Sequence, residues 1–460
     1  MGKLPWREAP CSGRWSRRAL LGTAGLAGSI PAVAAACILR PAERRTGSRP
    51  GVLTVAWNVG DVPGGEPAVR QLLEAVDETS VHPHSPASAG YRLELERFIA
   101  ETFSESVLNA RAWELRVGAM QHGYGPDLVI GGETFISEGV LLPFDGAGAP
   151  VLDVRLAEYL PAALDGLRTR GQLFALPLSV TPAVLYYNPK LFFRYGANPP
   201  QRDWSWRELL EAAQRLTQDI DPSGNPLTWG LPLAGPNVQL GSLLLPLIWQ
   251  NGGDVVTRDL KASALDRAEA ITAVEFVAEL LHRRRVMPRT LQPSEGARLA
   301  LAERAAMFYQ YVGPPESWRS RFRIAELPQG RRRATGLEVV SAVAVNGRGP
   351  QAPLATRAAL ALADTGQAAG QQLVPAKRDA IEAMERRNLW TEQELAVIRN
   401  SLEYARTALP KLSRRAIYYI RNALRTYLER PLVLNDRPPK LACQEAAVAI
   451  SGILALAATD

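Results

Sequence analysis

The sequence predicts an α/β protein made of two domains, and three observations carry that reading. The first is an alternation of short β-branched runs with helical patterns from Gly51 onward, the rhythm of a mostly parallel sheet covered by helices. The second is length: 460 residues exceed what one sheet and one core ordinarily serve. The third is a second half that repeats the style of the first and then turns almost wholly helical after "LVPAKRDA".

The elements follow in order. "GVLTVAWNV" reads as a buried strand stopped by the loop "GDVPGGEP". Ala68, Val69, Leu72, Leu73 and Val76 then fall on one face of a helix. "YRLELER" alternates as a strand does, "SESVLNARAWELRVGAMQHG" has helical spacing with Ser104 as its cap, and "PDLVIGG" is a short buried strand. "QLFALPLSVTPAVLYYNPKLF" predicts an extended crossing segment and a strand. "DWSWRELLEAAQRLTQDIDPSG" predicts a helix capped by Ser205, with Leu209, Leu210, Ala213 and Leu216 inward. "DRAEAITAVEFVAELLHRRR" is another amphipathic helix, with basic residues at the end where the helix dipole favours them. "LEVVSAVAVNG" is a second apolar crossing strand, and no repeat of solenoid period is present.

The N-terminus concerns address rather than fold. In "GRWSRRALLGTAGLAGSIPAVAAAC" the pair Arg17-Arg18 precedes an uncharged run from Ala19 to Ala36 that ends at Cys37. A basic region, an apolar region and small residues before a cleavage point mark an export signal. The competing reading, a spanning helix, is disfavoured by Gly22, Gly25, Gly28 and Pro31. "SRRALLG" resembles a twin-arginine signal, with Leu20 and Gly22 departing from the common pattern. "AVAAAC" resembles a lipoprotein box, which implies acylation of Cys37 and, with two or more chains, stable membrane attachment. Residues 37–50 then form a polar tether.

Cysteine usage agrees. Of three cysteines, Cys11 precedes the apolar run, Cys37 ends it and Cys443 stands alone, so the mature chain depends on its core rather than on disulfides. The formal net charge is +7. Residues 1–36 carry five basic side chains and one acidic, so their removal takes away +4 and leaves +3. That balance gives no case for nucleic acid, and the runs Arg283–Arg285 and Arg331–Arg333 read as solvated charge.

Enzyme motifs are scarce. The four histidines have no zinc-helix spacing, and "HPH" at 82–84 sits in a Pro/Ser-rich loop. There is no G-x-S-x-G elbow, Walker loop or C-x-x-C. The expectation is an absence of catalytic residues, metal ligands and cofactor.

Several segments together resemble the extracellular solute-binding proteins of ABC importers, in the carbohydrate branch. These are "LTVAW", "YGPDLVIGG", "GVLLPFD", "GQLFALPLSVTPAVLYYNPKLFFRYGANPP" followed by "DWSWRELLEAAQRLT", then "LIWQNGGD", "AAMFYQYVGPPESW" and "FRIAELPQG", in the family's order. Departures lie in "AERAAM", which has neither glycine nor lysine, and in "TGLEVVSA", which carries Glu338 in place of a glycine pair. The resemblance implies a two-lobed type II periplasmic-binding-protein fold. One lobe would hold residues 51–178 plus about 346–390 and the other 179–335 plus about 391–460, with hinges near 176–182 and 336–345. It further implies a monomer at the outer face of the cytoplasmic membrane or in the periplasm. Such a protein captures a small solute, a sugar or oligosaccharide, and hands it to an ABC permease. A ligand-sensing subunit of a membrane receptor and a glycan-active enzyme remain the competing readings.

Ligand residues are expected where rings and hydrogen-bonding side chains end strands. A sugar offers C–H faces to aromatic rings and hydroxyls to carboxylates and amides. The candidates are Trp57 and Asn58, Glu133, Tyr186 (rather than Tyr187, which alternation sends to the other face), Trp249, Asn251 and Asp254, then Tyr309, Tyr311 and Trp318 around the Gly-Pro-Pro turn, and Glu338. Phe308 is assigned to core, and Trp229, Tyr418 and Tyr419 to packing.

Overall fold

A computed structural model describes residues 52–57, 69–70, 73, 92–97, 120–122, 125–131, 139–146, 155–222, 224, 226–232, 240–290, 293–313, 318, 320–364, 374–382, 384, 390–409 and 412–458. The export segment with Arg17, Arg18 and Cys37, the "HPH" loop, the pattern from Ser104 to Val117, and the candidates Asn58 and Glu133 lie outside the described residues.

The strands form where the sequence alternates or runs apolar. β1 (Val52–Trp57), β2 (Arg92–Arg97) and β3 (Leu128–Gly131) make a parallel group with β1 in the middle. Two long strands then run past them: β4 (Leu176–Tyr187) and, following β5 (Met307–Tyr311) and β6 (Arg323–Ala325), β7 (Thr335–Val345). β7 pairs with β3 through Ala342–Val345 and with β4 through Leu337–Val343. The far half of β4 pairs with β5 on one side and β6 on the other. β8 (Val374–Pro375) adds to β4, and β9 (Ala405–Arg406) adds in parallel to the start of β7. Among the described residues this is one nine-stranded sheet. It is mixed rather than mostly parallel, because the two long strands return antiparallel across it.

Two apolar cores lie along this sheet. The first gathers Leu53, Val55, Leu128, Ile130, Leu176 and Val343 with helix Ala352–Asp364 and continues to Val184, Tyr186 and Phe308. The second gathers Ala183, Leu185, Met307 and Tyr309 with the helices. Strand alternation explains the division, since neighbouring residues of β4 and β5 point to opposite faces.

Helix α1 (Pro161–Gly166) lies on β7 in the first core, where Gly166 packs against Val339. Helix α2 (Trp206–Leu216) begins at the predicted Ser205 cap, whose hydroxyl accepts from Glu208 N–H while the Glu208 carboxylate accepts from Ser205 N–H. Its buried side is Leu209, Ala213 and Leu216, with Leu210 half-buried. Helix α3 (Leu240–Gln250) and α4 (Ala268–Ala278) cover the second core. α5 (Glu392–Glu403) has a full capping box between Thr391 and Glu394 and delivers the chain to β9. α6 (Arg414–Leu424) and α7 (Pro439–Ala457) close the second core. α7 is long and apolar enough to cross a membrane, yet Ala442, Cys443, Ala446, Ile450 and Leu454 pack inside this core.

One packing assignment is corrected. Trp229 does pack against the first core, but Tyr418 and Tyr419 are 59% and 46% exposed. Ala416, Ile417, Ile420, Ala423 and Leu424 take the inward stripe of α6, and at helical periodicity that leaves both tyrosines outside.

Candidate functional site

At the junction of the two cores, the crossing of β4 and β7 brings polar residues together on an accessible face. Thr181 on β4 is in register with Glu338 on β7, and Pro182 with Leu337. The end of β5 is tied to the same point: the Thr181 hydroxyl donates to Val312 C=O at 2.7 Å, and Val312 N–H donates to Pro182 C=O at 3.0 Å. The chain leaves through Gly313 at φ +111°, a conformation that glycine adopts without strain.

Alternation sorts β7. Leu337 and Val339 enter the first core, while Gly336 and Glu338 take the opposite face, where Glu338 is exposed. Tyr311 is half-buried on that face, in register with Ala183, and a Cβ added at Gly336 would meet its hydroxyl at 3.4 Å. Arg406 on β9 is in register with Gly336. By strand geometry its Cα lies roughly 8 Å from that of Glu338.

Arg406 is held from below. Its guanidinium carbon sits 4.9 Å from the Trp249 ring centroid, and Nη2 lies 2.6 Å from Asp254 Oδ2. The other Asp254 oxygen accepts from Trp249 Nε1–H at 3.1 Å and from Val255 N–H at 2.9 Å. Stacked on indole and paired with carboxylate, the guanidinium is fixed in orientation while its side chain stays 40% exposed. The arrangement offers a ring, a carboxylate acceptor and a pre-oriented donor fork on one face. Among the described residues no group of three His, Cys, Asp or Glu side chains could hold a metal ion.

The structure brings together four of the sequence candidates: Trp249, Asp254, Tyr311 and Glu338. Asn251 is nearby in sequence, but its amide is spent on Glu269 C=O at 2.7 Å with the side chain buried. Trp57 ends β1 in register with Ile130 of β3, so the backbone ends of these two strands are neighbours; nothing is described of its side chain.

Trp249 is itself 2% exposed and meets the guanidinium rather than open space, and three further aromatic candidates are packed. Tyr309 is 1% exposed in the second core, because Met307 and Tyr309 share the face that α3 covers, and burial pushes its phenol up. Trp318 is 3% exposed in the first core, with its ring edge-on to Phe308 at 5.2 Å. Tyr186 is 3% exposed and stacks flat on Phe308 at 5.3 Å. Their faces are occupied by protein, and Phe308 is the buried hub of the cluster as expected.

Sequence reasoning missed Arg406. A lone arginine between a helix and a loop gives no local signal, and its partner Asp254 is 152 positions away. It also missed Glu326, 4% exposed, whose carboxylate accepts from Tyr404 O–H at 2.6 Å, Asn400 Nδ2–H at 2.8 Å and Arg333 Nη1–H at 3.2 Å. This network fastens the end of α5 just before β9 and so sets where Arg406 stands. A separate open hollow between α1 and α5 is lined by Arg378, Glu382, Arg399 and Glu403. It is on the α1 side of β7, whereas Glu338 points to the other.

Residues 107–319 match the model of a family described as bacterial extracellular solute-binding protein. A mannitol-binding protein of Pseudomonas aeruginosa is 35% identical over 82 residues, 18% of this chain and 18% of that protein. A putative binding protein of Brucella abortus is 25% identical over 150 residues, 32% of this chain and 33% of that one. The matched stretches thus span about a fifth to a third of these curated relatives. Solved structures agree over far more of the chain. The cyclic α-maltosyl-1,6-maltose binding protein of Arthrobacter globiformis superposes with a TM-score of 0.67 at 18% identity, covering 88% of this chain and 98% of that one. The maltose/maltodextrin-binding domain from Bdellovibrio bacteriovorus, bound to maltotriose, gives 0.63 at 16% identity, covering 87% and 99%. The fold is therefore the two-lobed type II binding-protein fold.

Proposed function

We propose that this chain, whose residues 107–319 match the model of the bacterial extracellular solute-binding proteins, is a member of that family that captures a sugar or oligosaccharide between two lobes and delivers it to an ABC permease. The observation that carries the reading is the crossing of β4 and β7. Two antiparallel strands connect the two cores there, and Tyr311, Glu338 and Arg406 share one accessible face of the junction. Tyr311 would give a sugar its flat area, Glu338 would accept from hydroxyls, and Arg406 would donate to them. Trp57 at the end of β1, with Asn58 and Glu133, which follow β1 and β3 in the sequence, would complete the site from the other lobe. Hinge rotation about the crossing would close the lobes on the solute, and the solute would favour the closed form by its higher affinity for it. The role is capture without covalent change. The mannitol and maltotriose named for similar proteins support a polyol or glycan ligand.

The same reading places the protein outside the cytoplasmic membrane, exported through the Arg17-Arg18 signal and held by lipid on Cys37, as a monomer on its tether. A thermal-shift screen against mono- and oligosaccharides, polyols, amino acids and phosphates tests the ligand class. One carbohydrate should raise the melting temperature in step with the logarithm of its excess over Kd. A shift by phosphate or amino acid alone would refute the sugar assignment.

A further inference from the structure

We propose that Glu326 is a positioning residue that locks the register of β9 and so aims Arg406 at the accessible face. β9 is two residues long, with only Thr335 opposite Ala405 and Gly336 opposite Arg406. So short a pairing specifies register weakly, and a slip of one residue would turn Arg406 to the opposite face. Thr407 holds that face: it is buried, and its hydroxyl donates to Ala162 C=O on α1. The register therefore needs an anchor outside the ladder.

The Glu326 carboxylate supplies that anchor at the root of both strands. Glu326 follows β6, which is paired to β4, and its side chain is 3% exposed. One oxygen, Oε2, accepts from Tyr404 O–H at 2.6 Å and from Arg333 Nη1–H at 3.2 Å. Tyr404 directly precedes β9, and Arg333 stands just before β7. The other oxygen accepts from Asn400 Nδ2–H at 2.8 Å and lies 3.7 Å from Arg202 Nε. Asn400 and the capping Tyr404 stand one above the other at the last turn of α5, so the two oxygens fix both the place and the rotation of the helix end. Burial and the neighbouring carboxylate push the Tyr404 phenol up, which keeps it a donor at ordinary pH. The backbone contact between the roots is slack by comparison, with Thr335 N–H donating to Tyr404 C=O at 3.4 Å. The effect on sugar affinity rests on the reading of Arg406 as a ligand residue; the register does not.

Hydrogen exchange of the full chain without ligand is the direct test. Glu326→Gln keeps the shape but exchanges one acceptor oxygen for a donor. It should speed exchange at residues 405–407 and 335–337 by about tenfold, with β1 and α7 unchanged. No change there, or the same acceleration everywhere, overturns the proposal. A cycle of Glu326→Gln, Arg406→Ala and the double variant, titrated with the sugar from the thermal screen, reads the consequence. Glu326→Gln should weaken binding about tenfold, the value of about one charge-assisted hydrogen bond, and cost nothing further once Arg406 is alanine. Equal losses in both backgrounds would show that Glu326 does not act through Arg406, and would overturn the proposal as well. If Glu326→Gln does not fold, Tyr404→Phe, which removes one donor and keeps the ring, should give both results. Should Arg406→Ala bind sugar normally, the ligand role of Arg406 fails, and the exchange measurement still decides the register.

Discussion

The hydroxyls of Ser179 and Ser341 lie 2.5 Å apart with both side chains fully buried, joining β4 to β7 where their register shifts. A bulge breaks the even ladder of backbone bonds, and the serine pair provides a cross-link at that break. Either Ser179→Ala or Ser341→Ala would leave one buried hydroxyl unpaired, at a cost of about 1–3 kcal/mol. The double variant should cost less than the sum of the two, because it leaves no orphan. Urea unfolding of the four proteins measures this, and additive losses would deny the pair its role.

Arg406→Ala should weaken sugar binding about 10–100-fold, the value of one or two charge-assisted hydrogen bonds. Arg406→Lys should recover little, because a point charge cannot reproduce the planar stack on Trp249. Titration calorimetry against the sugar found in the thermal screen gives the comparison. Unchanged affinity in both variants would remove Arg406 from the site.

Trp318→Ala should destabilise the fold by about 3–5 kcal/mol, the usual cost of emptying a large aromatic site. Trp318→Phe should retain most stability and all sugar affinity. A Trp318→Phe protein with native melting temperature and lost binding would show that this ring meets the ligand after all.

Glu158 is held below the usual carboxylate range by Lys377, whose ammonium lies 3.1 Å from Oε2 and also meets Asp364 at 2.7 Å. A depressed carboxyl stabilises the fold above its unfolded pKa, near 4.5, and that contribution fades as pH falls through the lower folded value. Lys377→Met should flatten this acid limb and lower stability at neutral pH. Melting temperatures from pH 3 to 7, roughly spanning the carboxylate range, would reveal it; parallel curves for the two proteins would refute the coupling.

Cys443 is fully buried, and burial pushes its thiol up to about 12, with Glu275 and Asp266 adding to the rise. The native thiol should therefore ignore Ellman's reagent at mildly alkaline pH and react at once on unfolding. A raised pKa means that the protonated thiol favours the fold at ordinary pH, and this preference disappears as pH climbs through the folded value. Fast labelling of the native protein would contradict the packing of α7.

Much of the architecture was legible in the chain. β1, β3 and the two long strands announce themselves by apolar runs, and α2 by a Ser205–Glu208 capping pattern that the structure reproduces. The exposure of Tyr418 and Tyr419 was legible too, had the stripe of Ile417, Ile420 and Leu424 been followed.

Period and capping are local physics, so sequence alone was enough to predict the strands and capped helices named above, and it carried the ordered motifs that resemble a binding protein and the pattern read as an export signal. The fate of each ring in "MFYQY" was decided only by tertiary structure: one strand lies between two cores, so both of its faces bury aromatic rings until Tyr311, at its end, escapes cover. Arg406 met Trp249 and Asp254 for the same reason, because contacts across 152 positions depend on how the sheet and helices close, and no neighbouring residue encodes them.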